Sequence, residues 1–165
     1  MEIQVEITRR DYSNFALFYY YKKGIKKRLI IVLIAAFIIP LVMNIGKPFD
    51  LSFFLLQVCI AGIVFGTIYL GLGYIAVLQT GKLPSEKGSV LGKKTFTITD
   101  EGLLEESDSN TNLQKWKSIL SVESNKKAIF IFVDKIAAYV IPKRHFENDT
   151  EAEKFLSLLK HKTSS

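Results

Sequence analysis

Two apolar runs separated by a handful of residues constrain this chain more than anything else in it. Leu29 to Ile45 carries no charged side chain, and neither does Leu51 to Leu78. At about 1.5 Å per helical residue the first run reaches roughly 25 Å, close to a hydrocarbon core of about 30 Å, and the second crosses with length to spare. One such run is compatible with the core helix of a soluble domain; two in immediate succession predict a pair of transmembrane helices. The first run begins too late for a cleavable signal peptide and no small-residue cleavage site follows it, so the amino terminus is expected to be retained.

Charge sets the expected orientation, because Lys and Arg near span ends favour the cytoplasm. Lys22, Lys23, Lys26, Lys27 and Arg28 precede the first run, and Lys82, Lys87, Lys93 and Lys94 follow the second. The connecting NIGKPFD segment holds only Lys47, offset by Asp50. Both termini are therefore expected in the cytoplasm, around an antiparallel helical hairpin with a very short outer loop. Gly46 is read there as a helix stop and Pro48 as a helix start.

Net charge is +6 but uneven. Met1 to Arg28 has seven basic and three acidic side chains, whereas Lys82 to Ser165 has fourteen and twelve. No basic stripe with interleaved aromatics appears, which argues against nucleic-acid binding. The single cysteine, Cys59, excludes a disulfide within the chain and leaves no cysteine set for zinc.

Within the second run, Cys59, Gly62, Gly66 and Gly73 fall on one helical stripe, and Gly62 to Gly66 fits the small-xxx-small pattern of close helix approach. The stripe serves either packing against Ala35 and Ala36 of the first helix or a homodimer contact. Pro40 should kink the first span, and Asn44 and Gln57 are the amides in or at the end of a span. Neither titrates, so no ion or proton relay is visible.

The flanks predict one strand-rich domain. Ile3, Val5 and Ile7 alternate with polar residues in a period-2 strand pattern, Thr8 to Asp11 resembles a capping box, and Tyr12, Phe15, Ala16 and Tyr19 recur at helical spacing. Phe18 to Tyr21 with the following lysines fits either a headgroup-level collar or packing on the tail. Beyond a linker at 81–92, Thr95 to Thr99 and Leu103 to Ser107 flank a tight turn in which Gly102 can take a positive φ. Ala128 to Val133 and Ile136 to Ile141 flank Asp134-Lys135, ended by Pro142. Leu113 to Glu123 reads as a turn and then a strand. Asp149 or Thr150 can cap a final helix striped by Ala152, Phe155, Leu156 and Leu159. The tail alone is a marginal size with an open sheet edge, so the amino-terminal strand is expected to complete it.

This order of elements carries a resemblance. FTITDEGL, Trp116 followed by Ile119 and Val122, the strand ending in IPKRHF, the final helix, the amino-terminal strand and the paired spans together resemble the bacterial YcxB-like family over nearly the whole chain. The resemblance implies a small pleckstrin-homology-like barrel on the cytoplasmic side of the plasma membrane, and it supplies no catalytic residues. The matching positions Gly102, Trp116, Pro142 and Lys143 look structural. The expected fold is membrane α+β: residues 1–28 form a strand and amphipathic helix, 29–45 and 51–78 the transmembrane hairpin, and 93–165 an antiparallel barrel capped by a carboxy-terminal helix.

Chemistry is sparse. His145 and His161 have no ligand or nucleophile at a meaningful spacing, Glu105, Glu106 and Asp108 read as a solvated face, and no phosphate loop or nucleophile elbow appears. No enzyme activity, cofactor or metal is expected. The partners expected are the bilayer and an unidentified membrane or cytoplasmic protein, for which the chain is an anchored interaction or regulatory module. The alternative is an anionic-lipid sensor contacting headgroups through Lys22, Lys23, Lys26, Lys27, Arg28, Lys93, Lys94, Lys143 and Arg144. Acidic Asp100 and Glu101 in the first hairpin weigh against it.

Overall fold

The computed structural model describes residues 1–80, 83–85, 88 and 90–164, together with all side chains in them except that of Lys23. The expected linker therefore lies partly, and Lys82 and Lys87 wholly, outside the described residues. The chain forms two units, a helical one at Tyr19–Gln79 and a strand-rich one that combines Met1–Phe18 with Thr80–Ser165.

In the helical unit a π-helical turn, Tyr20–Gly24, leads into α2 (Ile25–Met43), and α3 follows at Leu51–Thr80; α1 (Arg9–Tyr19) belongs mainly to the other unit. With 30 residues and charge-free composition, α3 is long and apolar enough to cross a membrane. Its companion α2 has 19 residues but holds Lys26, Lys27 and Arg28 in its first turn, so only Leu29 to Met43 is without charge. The expected first span thus starts inside a helix that is already running, and the helix stops two residues early. Most large apolar side chains of both helices are exposed, Leu33 at 69% and Ile63 at 70% among them. An apolar exterior of this extent marks a surface that contacts lipid or another protein.

The helices pack antiparallel. Phe37 meets Phe54 edge-on with centroids 5.5 Å apart, and Asn44 at the end of α2 donates from Nδ2 to Gln57 Oε1 at 2.5 Å and to the Pro40 carbonyl at 2.7 Å. Gly46, at φ +78°, turns the chain beyond α2. The start of α3 is set by Asp50, not by Pro48: its Oδ1 accepts the Phe53 amide at 3.0 Å, as an N-cap does.

The strand unit begins with β1 (Glu2–Ile7) and α1 (Arg9–Tyr19) and resumes after the helical segment with β2 (Gly92–Ile98), β3 (Gly102–Ser107) and β4 (Thr111–Lys115). These four strands form one antiparallel sheet in the order β1-β2-β3-β4, with Ile3 opposite Phe96 and Ile7 opposite Gly92. A second antiparallel sheet holds β5 (Ser121–Ser124), β6 (Ala128–Phe132) and β7 (Ala138–Pro142) in sequence order. The last element is α4 (Asp149–Ser164).

One core joins both sheets to α4. Ile3, Val5, Ile7, Phe96 and Leu103 from the first sheet meet Ile129, Ile131 and Ile141 from the second, and the predicted stripe Ala152, Phe155, Leu156 and Leu159 closes it. Every residue of β6 is buried, because both its faces are covered. Ile129 and Ile131 face that core, while Phe130 and Phe132 receive Phe15 of α1 at centroid distances of 5.7 and 5.9 Å, and Phe18 stacks on Phe130 at 4.5 Å. Continuous burial, not alternation, is what a strand between two layers requires. Each such side chain contributes roughly 1.5 to 3 kcal/mol when fully buried.

Several local expectations are corrected. Gly102 does not take a positive φ, since only Gly46 and Gly92 do among the described residues. It is needed because a Cβ there would stand 2.2 Å from the Gln114 carbonyl oxygen of β4. The segment before Trp116 is a strand, β4, whose one large apolar side chain, Leu113, carries little periodic signal. The β6–β7 connection is wider than Asp134-Lys135: Val133 and Asp134 both donate to the Ala137 carbonyl, leaving Ile136 70% exposed. Pro142 ends β7 from within it. The cap of α4 is Asn148, whose Oδ1 accepts the Glu151 amide at 2.9 Å.

Candidate functional site

Two polar clusters stand out in the strand unit, and both draw on residues that the sequence alone leaves scattered. The first surrounds the 3₁₀ turn Lys143–His145 that follows β7. Arg144 bonds both oxygens of Asp11, one at 2.8 Å, and donates to the Glu6 carbonyl at 2.8 Å. Asp11 also accepts the Thr8 amide at 2.9 Å and the Thr8 hydroxyl at 2.7 Å, half of the expected capping box. Burial pushes the Asp11 carboxyl upward, but the bonds from Arg144 and Thr8 and the Arg144 charge outweigh it and hold the group below its ordinary 3.8. His145 Nε2 accepts the Glu6 amide at 3.3 Å. Lys143 pairs with Glu153 of α4 at 3.0 Å. The turn thus clasps the β1–α1 junction and the final helix to the second sheet.

The second cluster lines a cavity of about 280 Å³. The antiparallel register puts Lys94, Phe96, Glu105 and Asn112 on the inward face of the first sheet, with Glu105 opposite both Phe96 and Asn112. Lys94 and Glu105 form an ion pair whose side chains are only 10% and 12% exposed. Asn112 Nδ2 donates to the Tyr139 hydroxyl at 2.7 Å. Burial first, and then the Glu105 charge, raise the Tyr139 hydroxyl above its ordinary 10.0 against that hydrogen bond. Ile7, Tyr12, Val133, Ala137 and Val140 supply the apolar wall.

The proposed headgroup contacts separate on these grounds. Lys22, Lys26 and Lys27 are exposed in the helical unit. Arg28 folds back, its guanidinium 3.9 Å above the Tyr20 ring and its Nη1 donating to the Tyr20 carbonyl at 3.4 Å, in space that Gly24 leaves open. In the strand unit Lys93 is exposed, whereas Lys94, Lys143 and Arg144 are each committed to a carboxylate. Of the small-residue stripe, Gly62 faces Ala36 at 3.4 Å, Gly66 faces Val32 at 3.2 Å and Gly73 meets the Tyr20 hydroxyl at 2.8 Å, as measured from a Cβ placed on each glycine. Cys59 is exposed. Trp116 is half-buried and donates from Nε1 to the carbonyls of Thr99 and Asp100 at 3.3 and 3.2 Å, which ties the β2–β3 turn down.

Asn112 and Tyr139 were not singled out by the sequence, and Asp11 only as the far end of a capping box with Thr8. Parity was the available signal for the cavity: Lys94 is two residues from Phe96, and Glu105 two from Leu103, so a strict period-2 reading turns both charges inward. For Asp11 no local pattern names a partner in a distant turn.

Among known families, the model of the YcxB-like protein family matches residues 98–159. The match runs from the end of β2 to the last buried leucine of α4 and includes Gly102, Trp116, Pro142 and Lys143, but not β1 or the helical unit, so it is narrower than the resemblance drawn from the sequence. No curated protein and no solved structure matches the chain.

Proposed function

We propose that the chain is a membrane-anchored interaction or regulatory module, its strand domain on the cytoplasmic face of a bacterial plasma membrane. The observation that carries the anchoring is the pairing of β1 with β2 across the inserted helical unit, Glu2 with Thr97 through Ile7 with Gly92. Two strands of one sheet lie on one side of a bilayer. If α3 crosses, the segment between β1 and β2 must cross an even number of times, and α2 is the available partner. Its cations sit in the first turn, where they reach the interface and satisfy the preference of Lys and Arg for the cytoplasmic side. Asn44 and Gln57, bonded to each other, remove the cost of two amides near the far end of the pair.

Among the described residues, seven strands arranged four and three around a core closed by a carboxy-terminal helix support a pleckstrin-homology-like barrel, with the helical unit inserted between its first two strands. The interaction role draws on what this domain exposes: the edge strand β4 with Leu113, and Leu120 and Ile136 at 62% and 70%. Apolar side chains displayed on a folded domain are the usual anchors of protein contacts. Neutralisation of Lys94, Lys143 and Arg144 by carboxylates counts against an anionic-lipid sensor, leaving the amino-terminal lysine collar as an electrostatic supplement to the anchor.

Photocrosslinkers at Leu113 and Ile136 in native membranes test the role. The expected result is a discrete adduct of one size from either position, lost when Val5→Asp disrupts the domain while the chain stays in the membrane. Diffuse or unchanged labelling in that variant contradicts it.

A further inference from the structure

The geometry points to the cavity at the end of the strand domain as a binding site for a small zwitterion, a molecule carrying an ammonium and a phosphate or carboxylate a few bonds apart. The Lys94–Glu105 pair lines it, with Ser107 and the Tyr139 hydroxyl beside the pair and apolar walls from Ile7 and Val133. A pair this buried is a poor device for stability, since apolar side chains of similar volume serve as well or better. A buried ion pair that borders open volume is the arrangement of a binding site.

Charge balance selects the ligand class. A lone anion at Lys94 would be held against the Glu105 carboxylate, and a lone cation at Glu105 against the Lys94 ammonium. A zwitterion replaces both partners at once: its oxyanion takes Lys94, its ammonium takes Glu105, and no charge is left unpaired. Tyr139, already an acceptor from Asn112 Nδ2 at 2.7 Å, keeps its own proton to donate to the oxyanion. The cavity, at about 280 Å³, has room for about nine water-sized groups at about 30 Å³ each, enough for a small polar molecule. The phosphoethanolamine unit of a phosphodiester has this size and charge pattern, one phosphate charge and one ammonium, and it occurs both in soluble glycerophosphoethanolamine and as a lipid headgroup. The site lies within the strand domain and stands independently of how many helices cross the membrane.

The test is calorimetric titration of the full chain in detergent with sn-glycero-3-phosphoethanolamine as the free zwitterion, with dihexanoyl phosphatidylethanolamine, and with inorganic phosphate and ethanolamine separately. Saturable binding of the zwitterion, the lipid or both supports the site. Saturation by the lipid but not the free zwitterion assigns a membrane source, and saturation by the free zwitterion assigns the headgroup chemistry itself. The double variant Lys94→Met with Glu105→Leu, expected to retain the thermal midpoint, should lose at least tenfold in affinity, and Tyr139→Phe should lose about threefold without loss of fold. Absence of saturable binding by both zwitterionic probes overturns the inference. So does equal affinity for phosphate or ethanolamine alone, or binding undiminished in the double variant and in Tyr139→Phe.

Discussion

The Arg144 guanidinium bonds both oxygens of the Asp11 carboxylate across 133 residues of sequence, and Asp11 is only 6% exposed. Removing the arginine strands a buried carboxylate, whereas removing both partners does not. Arg144 itself is about half exposed, which screens the pair. Arg144→Ala is therefore expected to cost about 1 to 3 kcal/mol, and the double variant with Asp11→Asn less than the sum of the two single changes. Thermal unfolding of the four forms measures the coupling.

The same pair predicts acid sensitivity. The Asp11 carboxyl is depressed below 3.8 in the folded chain, so its contribution is fully present above the unfolded value and is lost as pH falls through the folded one. Limited proteolysis within residues 1–18 should be flat from about pH 5 to 8 and rise below about pH 4. In Asp11→Asn the rise attributable to this group should be absent.

Glycine positions separate close approach from backbone strain. Gly102→Ala forces a methyl against the Gln114 carbonyl and is expected to destabilise by about 1 to 3 kcal/mol or more. Gly92→Ala meets nothing within 4 Å, and its cost, about 1 to 2 kcal/mol, comes from φ at +106°. Chemical denaturation distinguishes the two by a remedy: Gln114→Gly next to Gly102→Ala does not relieve the clash, because the clashing atom is backbone, whereas Gly92→Asn recovers part of its loss through tolerance of left-handed φ.

In the helical unit, Gly66→Leu and Gly62→Leu should separate α2 from α3, because a Cβ at either position already touches α2. Gly71 meets nothing within 4 Å, so Gly71→Leu should leave the pair intact. Crosslinking between cysteines placed at Ala36 and Gly62, in a Cys59→Ser background, should fall in Gly66→Leu and persist in Gly71→Leu.

The amino-terminal strand was legible because Ile3, Val5 and Ile7 alternate cleanly, and the stripe of α4 because its four apolar residues keep helical spacing. Three features hid the rest. Strand β4 has a single large apolar side chain, Leu113, among polar ones and leaves it 38% exposed, so period carried no information. Phe130 and Phe132 read as generic core because the layer covering them, α1, lies more than a hundred residues upstream. The cations at Lys94, Lys143 and Arg144 looked like a basic surface because their carboxylate partners are set by register and tertiary packing, which sequence proximity does not encode.

Strands β1 and β2, separated by the helical insertion, pair in one sheet, and both are therefore expected on the same side of the membrane. Single cysteines at Glu2, Lys47 and Ser109, in a Cys59→Ser background, report it by labelling with an impermeant maleimide in intact cells. Labelling is expected at Lys47 before permeabilisation and at Glu2 and Ser109 only after it. Labelling of Glu2 and Ser109 from opposite sides would place the two halves of the sheet across the bilayer and contradict it.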